Sequence, residues 1–260
     1  MTDIETRLDD GVLSIVFNRP GKKNAITAQM YEALAEAFVR AEQDPAVRVV
    51  LLTGAGQDFT SGNDISLFVQ SSETVQSSET PKASPASAFM KAVLACGKPI
   101  VAGVRGYAVG IGATVLVHCD HVIVADDARI RFPFVDLGLC PEFGSTLLLQ
   151  ELVGRRKADE WLTLATSISA RDAVQAGLAN AVTEPDGLDR ACAEIARRYA
   201  SKPAEALKAT RELLRSRHRE QGLERMSAES AVLDRLRRSD EAQSIFQQFL
   251  LRSSSGKSKS

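Results

Sequence analysis

The chain has 260 residues, 44% of them hydrophobic, and carries 32 basic against 33 acidic side chains. That length supports a substantial core in one large domain or two, and the charge balance excludes an electrostatic footprint for nucleic acid or an anionic membrane surface. No apolar run approaches the roughly 20 residues that span a bilayer, the acidic start MTDIETRLDD is no signal peptide, and four scattered cysteines (Cys96, Cys119, Cys140, Cys192) fit a reducing, cytoplasmic compartment.

In chain order, VLSIVF (12–17) alternates and is rich in β-branched residues, which predicts a strand. A helix follows, with Thr27 as N-cap and Met30, Leu34 and Phe38 on one apolar face. VRVVLLTG (47–54) and PIVAGV (99–104) read as buried strands, and HVIVAD (121–126) and RIRF (129–132) as shorter ones. Strands separated by helices predict an α/β layer. Between them, residues 69–89 carry a near repeat, QSSET at 70–74 and 76–80, which reads as a mobile surface loop leading into a helix around Phe89–Cys96. From about Gly144 the remaining segments all fit helical periodicity, down to a flexible SSSGKSKS tail.

Some motifs carry little. GAGQDF (54–59) begins like a dinucleotide-binding turn but lacks the third glycine. HCDH (118–121) has ligand residue types, yet four consecutive residues do not converge on one ion without a dedicated loop, so a structural turn is expected and no metal site. Three histidines and no G-x-S-x-G elbow argue against a Ser-His-Asp hydrolase.

Two small-residue turns carry more. DFTSGNDI (58–65) and RGYAVGIGATV (105–115) each follow a buried strand, so their backbone N–H groups could converge on one negative oxygen. Two ordinary tight turns with glycine at positive φ explain them equally well. The third feature is Glu142 in FPFVDLGLCPEFGST (132–146), a carboxylate set among Phe132, Phe134, Leu137, Leu139 and Phe143. It either points inward as a base whose pKa burial raises, or faces water and caps the helix that begins near Gly144.

NRPGKKNAIT (18–27), DFTSGNDI, GYAVGIGATVLVHCDHVIVAD (106–126), LGLCPEFGST (137–146) and EAQSIF (241–246) occur in an order and spacing that resembles the enoyl-CoA hydratase/isomerase (crotonase) superfamily over essentially the whole chain. The resemblance implies an α/β spiral of repeated β-β-α units over residues 1–200. It implies a helical C-terminal trimerisation region with a flexible tail over 201–260, a homotrimer or dimer of trimers, and acyl-CoA thioester substrates. Carried over by position, the N–H groups of Ser61 and Ile111 form an oxyanion hole. Lys22 or Lys23 meets the CoA phosphates, and Ala25, Asp64 and Ile65 run along pantetheine and adenine. Gly62 and Gly110 belong to the turns around the CoA ester. Phe246 corresponds to a position that reaches a neighbouring subunit's CoA, although the QQFLLR that follows departs from the family's basic ending.

The departures point to the chemistry. Where hydratases of the family place two glutamates, this sequence has Thr114 and Phe134, which cannot deprotonate a water and deliver a proton. The Pro-Glu at 141–142 resembles the Δ3,Δ2-enoyl-CoA isomerases, in which one glutamate shuttles the proton. The reading is therefore an isomerase acting on 3-enoyl-CoA through Glu142, with no cofactor beyond the CoA carried by the substrate. A hydratase-like enzyme and a catalytically inactive acyl-CoA-binding protein are the alternatives. Asp136 and Glu151 are spare carboxylates, expected at the surface.

Overall fold

The computed structural model describes residues 2–64 and 84–255. It opens with a hairpin, β1 (Ile4–Asp9) against β2 (Val12–Phe17), closed by Asp10 and Gly11 at φ 46° and 78°. Two consecutive positive φ values match the twist of the flanking strands. Leu13, Ile15 and Phe17 face the core. The strand β1 was not legible in IETRLD, because only Ile4 is buried and an edge strand needs no apolar alternation.

Parallel strands then extend the sheet: β3 (Val49–Gly54), β4 (Ile100–Val104), β6 (His121–Ala125) and β9 (Ala181–Thr183), in the order β1-β2-β3-β4-β6-β9. A second sheet has β5 (Tyr107–Val109), β7 (Arg129–Arg131) and β8 (Ile168–Ser169) in the order β5-β7-β8. So β4 and β6 each build the large sheet, and β5 and β7, directly after them in the chain, build the small one. That is the repeating unit of a spiral. An isolated parallel bridge from Thr60 to Ala108 brings the segment after β3 alongside β5.

Helix α1 (Ala28–Gln43) starts where expected, with the Thr27 hydroxyl accepting from Met30 N at 3.2 Å. Helix α2 (Pro85–Ala95) is capped by Ser84 and packs on α1. Most of the 69–89 segment, expected as a mobile loop, lies outside the described residues; its last five positions begin α2. After the short α3 (Ile111–Thr114) come α4 (Ser145–Val153), α5 (Arg155–Thr163), α6 (Ala170–Ala176), α7 (Leu188–Ala200), α8 (Ala204–Arg237) and α9 (Asp240–Ser255).

This corrects the all-helical expectation for the region beyond Gly144. Strands β8 and β9 interrupt it, and β9 pairs with β6 in the large sheet. Two or three residues leave no periodic signal, and it is pairing that makes them strands. The helical segments expected at 203–217 and 222–238 are one continuous 34-residue helix. Helix α9 also runs through Ser255, into what reads as tail; residues 256–260 lie outside the described set.

Helix α8 is latched to the sheet by the HCDH segment. Arg211 Nε donates to both Asp120 oxygens at 2.9 and 3.0 Å, and its Nη1 donates to Cys96 O at 2.8 Å. Arg215 bonds His118 O at 2.6 Å and pairs with Asp120 at 3.1 Å. Asp120 also accepts from Ile100 N at 2.8 Å, at the start of β4.

Candidate active site

The turn at 19–25 is built around a buried asparagine. Lys23 and Asn24 take left-handed φ values of 49° and 55°. Asn24 Nδ2 donates to Ala55 O and Asp58 O at 2.9 and 2.7 Å, Arg19 N donates to Asn24 Oδ1 at 2.8 Å, and Thr60 Oγ1 donates to Asn24 O at 2.7 Å. One side chain thus ties this turn to the segment after β3. Arg19 bridges Ala25 O (3.0 Å) and Asp64 Oδ2 (2.6 Å). Lys22 and Lys23 remain exposed beside it, and Lys23 Nζ lies 4.2 Å from the centre of the Tyr107 ring. Ile65 lies outside the described residues.

The expectation for Ser61 needs correction. Its N–H donates to Lys23 O at 2.9 Å and is therefore not available to a substrate oxygen. Ile26 N donates to Gly62 O (2.8 Å) and Asp64 N to Ile26 O (2.9 Å), so residues on both sides of Asn63 bond Ile26. A parallel bridge of this kind turns the N–H of the residue between, Asn63, away from the partner strand. Among the described residues that N–H has no acceptor. The register of this turn is set by Lys23 and Ile26, distant in sequence, which is why the motif alone does not show which of its N–H groups is already paired.

The second turn meets the first. Gly62 (φ 88°) packs so closely that a Cβ would lie 2.7 Å from Val109 O, and a Cβ on Gly112 would collide with the Thr60 methyl. Gly110 (φ 59°) donates to Arg131 O at 3.0 Å and accepts at its carbonyl from Ala113 and Thr114. Ile111, at the first position of α3, has no intrahelical acceptor for its N–H. Gly62 and Gly112 are required by the close approach, which brings two small-residue turns together.

Glu142 points inward. It is 7% exposed, and its Oε1 has no hydrogen-bond partner among the described residues. Burial, then the nearby Glu229 carboxylate, push its pKa up to about 7. Phe132, Phe134 and Phe143 are buried around this stretch, with Phe89 against Phe143 at 6.0 Å between ring centres. Tyr31 of α1, also buried, donates its hydroxyl to Asn63 Oδ1. Burial and the charge of Glu142 both raise the Tyr31 phenol, which links the carboxylate to the Asn63 turn.

The turn carrying Glu142 is unusual. Phe143 and Gly144 follow it at φ 65° and 73°, two left-handed residues in succession. His118 stacks on Phe143 with ring centres 4.0 Å apart, and its Nε2 lies 2.7 Å from Phe143 O. Because a carbonyl only accepts, the proton sits on Nε2; burial holds this imidazole neutral, with a pKa lowered to about 4.

The capping role that the sequence left open for Glu142 belongs to another residue. Glu229 of α8 accepts from Gly144 N (2.6 Å), Thr146 N (2.9 Å) and Thr146 Oγ1 (2.6 Å) at the start of α4. Sequence reading missed it. A signal existed: Gly222, Met226, Glu229, Leu233 and Leu236 repeat at spacings of four and three, placing a glutamate on the buried stripe of α8.

Of the remaining positions, Thr114 and Phe134 are buried without acid–base chemistry to offer, the Thr114 hydroxyl lying 3.4 Å from Ile111 O. Asp136 is exposed and pairs with Arg131 at 2.5 Å, and Glu151 pairs with His218 at 2.6 Å. Phe246 is turned into this chain's own core, 3% exposed.

The spiral of paired strands with a helical end is the crotonase fold. The chain aligns with a solved enoyl-CoA hydratase/isomerase from Pseudoalteromonas atlantica T6c at a TM-score of 0.90 and 34% identity, covering 96% of this chain and 98% of that one. Residues 7–255 match the family described as Enoyl-CoA hydratase/isomerase, and the chain belongs to that family. It is 32% identical over 257 residues to mouse enoyl-CoA delta isomerase 3, peroxisomal, covering 98% of this chain and 80% of that protein. It is 34% identical over 212 residues to rat enoyl-CoA delta isomerase 2, of which the match spans 54%. Other relatives are named crotonyl-CoA hydratase and 4-chlorobenzoyl coenzyme A dehalogenase-2. Family membership thus establishes an enzyme family and leaves the reaction to the residues.

Proposed function

We propose that the protein is an acyl-CoA isomerase that moves the double bond of a 3-enoyl-CoA to the 2-position. The observation that carries the reading is Glu142, a buried carboxylate with an oxygen that is unpartnered among the described residues and a pKa raised to about 7. Such a group is matched to accept and return a proton near neutrality. In this reading Glu142 removes a proton from C2, the electron pair delocalises onto the thioester oxygen as a dienolate, and the protonated Glu142 delivers a proton to C4. The N–H groups of Asn63 and Ile111 hold the oxygen, which supersedes the assignment to Ser61. Loss of one such donor typically costs about 10²–10³-fold in rate.

The surroundings support a single shuttle. Both oxygens of Glu229 are taken up by three donors, so it is not a second acid–base group. Thr114 and Phe134 leave hydration without its pair. Buried phenyl groups exclude water that would exchange the proton in transit. Lys22 and Lys23, exposed beside the Asn24 turn, suit the CoA phosphates, and the CoA arrives with the substrate.

The test is direct conversion of trans-3-hexenoyl-CoA to its conjugated isomer, wild type beside Glu142→Gln. The variant is expected to lose about 10²–10⁴-fold in kcat while binding the CoA ester as before. A fully active Glu142→Gln protein would end this reading. Loss of conjugated-enoyl absorbance on 2-enoyl-CoA would replace it with hydration, and thioester binding without turnover over a panel of chain lengths would replace it with a binding function.

A further inference from the structure

The turn that presents Glu142 holds itself only in part, through Ser145, whose N–H and hydroxyl donate to Glu142 O at 3.2 and 2.6 Å. A bulky L-residue at φ 65° is strained, and Phe143 is followed by a second left-handed residue. Such a course persists only where neighbours over-determine it. Two neighbours do so here. His118 grips the Phe143 carbonyl and ring from the sheet side. From the other side, Glu229 accepts from Gly144 N, Thr146 N and the Thr146 hydroxyl.

Glu229 sits where an apolar residue would serve packing better. Its neighbours on the stripe are Met226 and Leu233, and it is 6% exposed. Burying a carboxylate there is unfavourable unless its hydrogen bonds compensate. The helix is also brought in close: at Gly144 a Cβ would lie 3.2 Å from Gly222 O of α8. Residues 222 and 229 together press the helix onto one turn, the one that follows Glu142.

We propose that Glu229 is a positioning residue for the proton transfer: from α8 it fastens the Glu142–Phe143–Gly144 turn in its left-handed course and fixes the Glu142 carboxylate over the substrate. This rests on the isomerase reading for the identity of the reaction, though not for the geometry. Glu229 also places a like charge beside Glu142 and so favours its protonated form. The other titratable groups facing this pair are Tyr31 from α1, Cys140 from the preceding loop and Arg225 on α8, with Arg235 beside Cys140 and His118 meeting the turn at Phe143 O.

The experiment compares Glu229→Gln and Glu229→Asp with wild type in two independent readouts. One is steady-state turnover of the 3-enoyl-CoA. The other is the titration of the Glu142 carboxyl, followed by 13C NMR without substrate and assigned by its loss in Glu142→Gln. Glu229→Gln offers an amide where two oxygens accepted, so one N–H of the turn loses its acceptor. It is expected to lower kcat about 10–100-fold, the scale of a slight misplacement, with KM within about threefold, and to move the Glu142 titration to lower pH. Glu229→Asp keeps the charge but is one methylene short, so its titration should stay near wild type while kcat is intermediate. Thr146→Val removes one of the three donors without touching either carboxylate, and should lower kcat by a smaller factor at unchanged KM should Glu229→Gln fail to fold.

A Glu229→Gln protein with unchanged kcat and an unmoved titration would overturn the proposal. So would one that only melts earlier, which would reduce Glu229 to a prop for the fold. If wild type fails to isomerise any 3-enoyl-CoA while the Glu142 titration still moves in Glu229→Gln, the positioning role stands and the assigned reaction falls.

Discussion

Glu142 weakens the fold it serves. Its folded-state pKa of about 7 lies above the ordinary carboxylate value, so the protonated form is the one the native state favours. Its contribution is intact below about pH 4.5 and is lost as pH rises through 7, on the order of 3 kcal/mol for a shift of this size. Replacing it by Gln removes the ionisation, so Glu142→Gln should melt higher than wild type at pH 8.5, with the gap shrinking towards pH 5. Thermal melts at the two pH values check this. Equal gaps at both would mean that Glu142 does not ionise from inside the fold. Its apolar setting singled this residue out while leaving inward and outward readings open, and the resemblance decided between them; the unpaired N–H of the neighbouring turn was not legible. Which N–H stays free in DFTSGNDI depends on Lys23 O and Ile26, and no local pattern records that pairing.

At the scale of elements, the site is the meeting of two turns supplied by successive strands of the spiral. Gly62 is a tight point of that meeting, with φ 88° and a missing Cβ whose place lies 2.7 Å from Val109 O. Gly62→Ala should therefore lower stability by about 1–3 kcal/mol and reduce kcat more than KM, by moving the Asn63 and Ile111 amides apart. Chemical denaturation together with steady-state kinetics measures both; wild-type behaviour in the two would show that the turns are not locked together. Strands β2, β3, β4 and β6 announced themselves by β-branched runs. The three residues each of β5 and β9 did not, since pairing creates them and composition does not. Helix α8 was read as two segments, 203–217 and 222–238, with Gly222 opening the second. In the fold the Gly222 carbonyl lies against Gly144, where a Cβ would come within 3.2 Å of it.

For the whole molecule, Asp120 joins the sheet to the C-terminal helices. It receives Arg211, Arg215 and Ile100 N, and its carboxylate is 13% exposed. Removing it strands two partly buried guanidinium groups, a loss of about 3–5 kcal/mol for a buried pair broken on one side. Asp120→Ala should lower the melting temperature and speed amide exchange along α8. It should also depress kcat, because the helix that loosens is the one carrying Glu229. Full activity beside a lowered melting temperature would show that the latch and the Glu142 turn are independent. The sequence marked HCDH as a structural turn, yet could not say what it holds, since Arg211 and Arg215 lie about ninety positions further on.

The separation between Glu142's turn and its cap has a consequence for how the protein is made. Gly144 N and Glu229 are 85 residues apart. At about 5–20 residues per second, a ribosome needs several seconds to synthesise that interval. A nascent chain therefore carries its reactive carboxylate on a turn that has not yet acquired its fastening, and the site is completed only after α8 emerges. Enzyme activity should thus appear late in synthesis, after the strands of the large sheet have already formed.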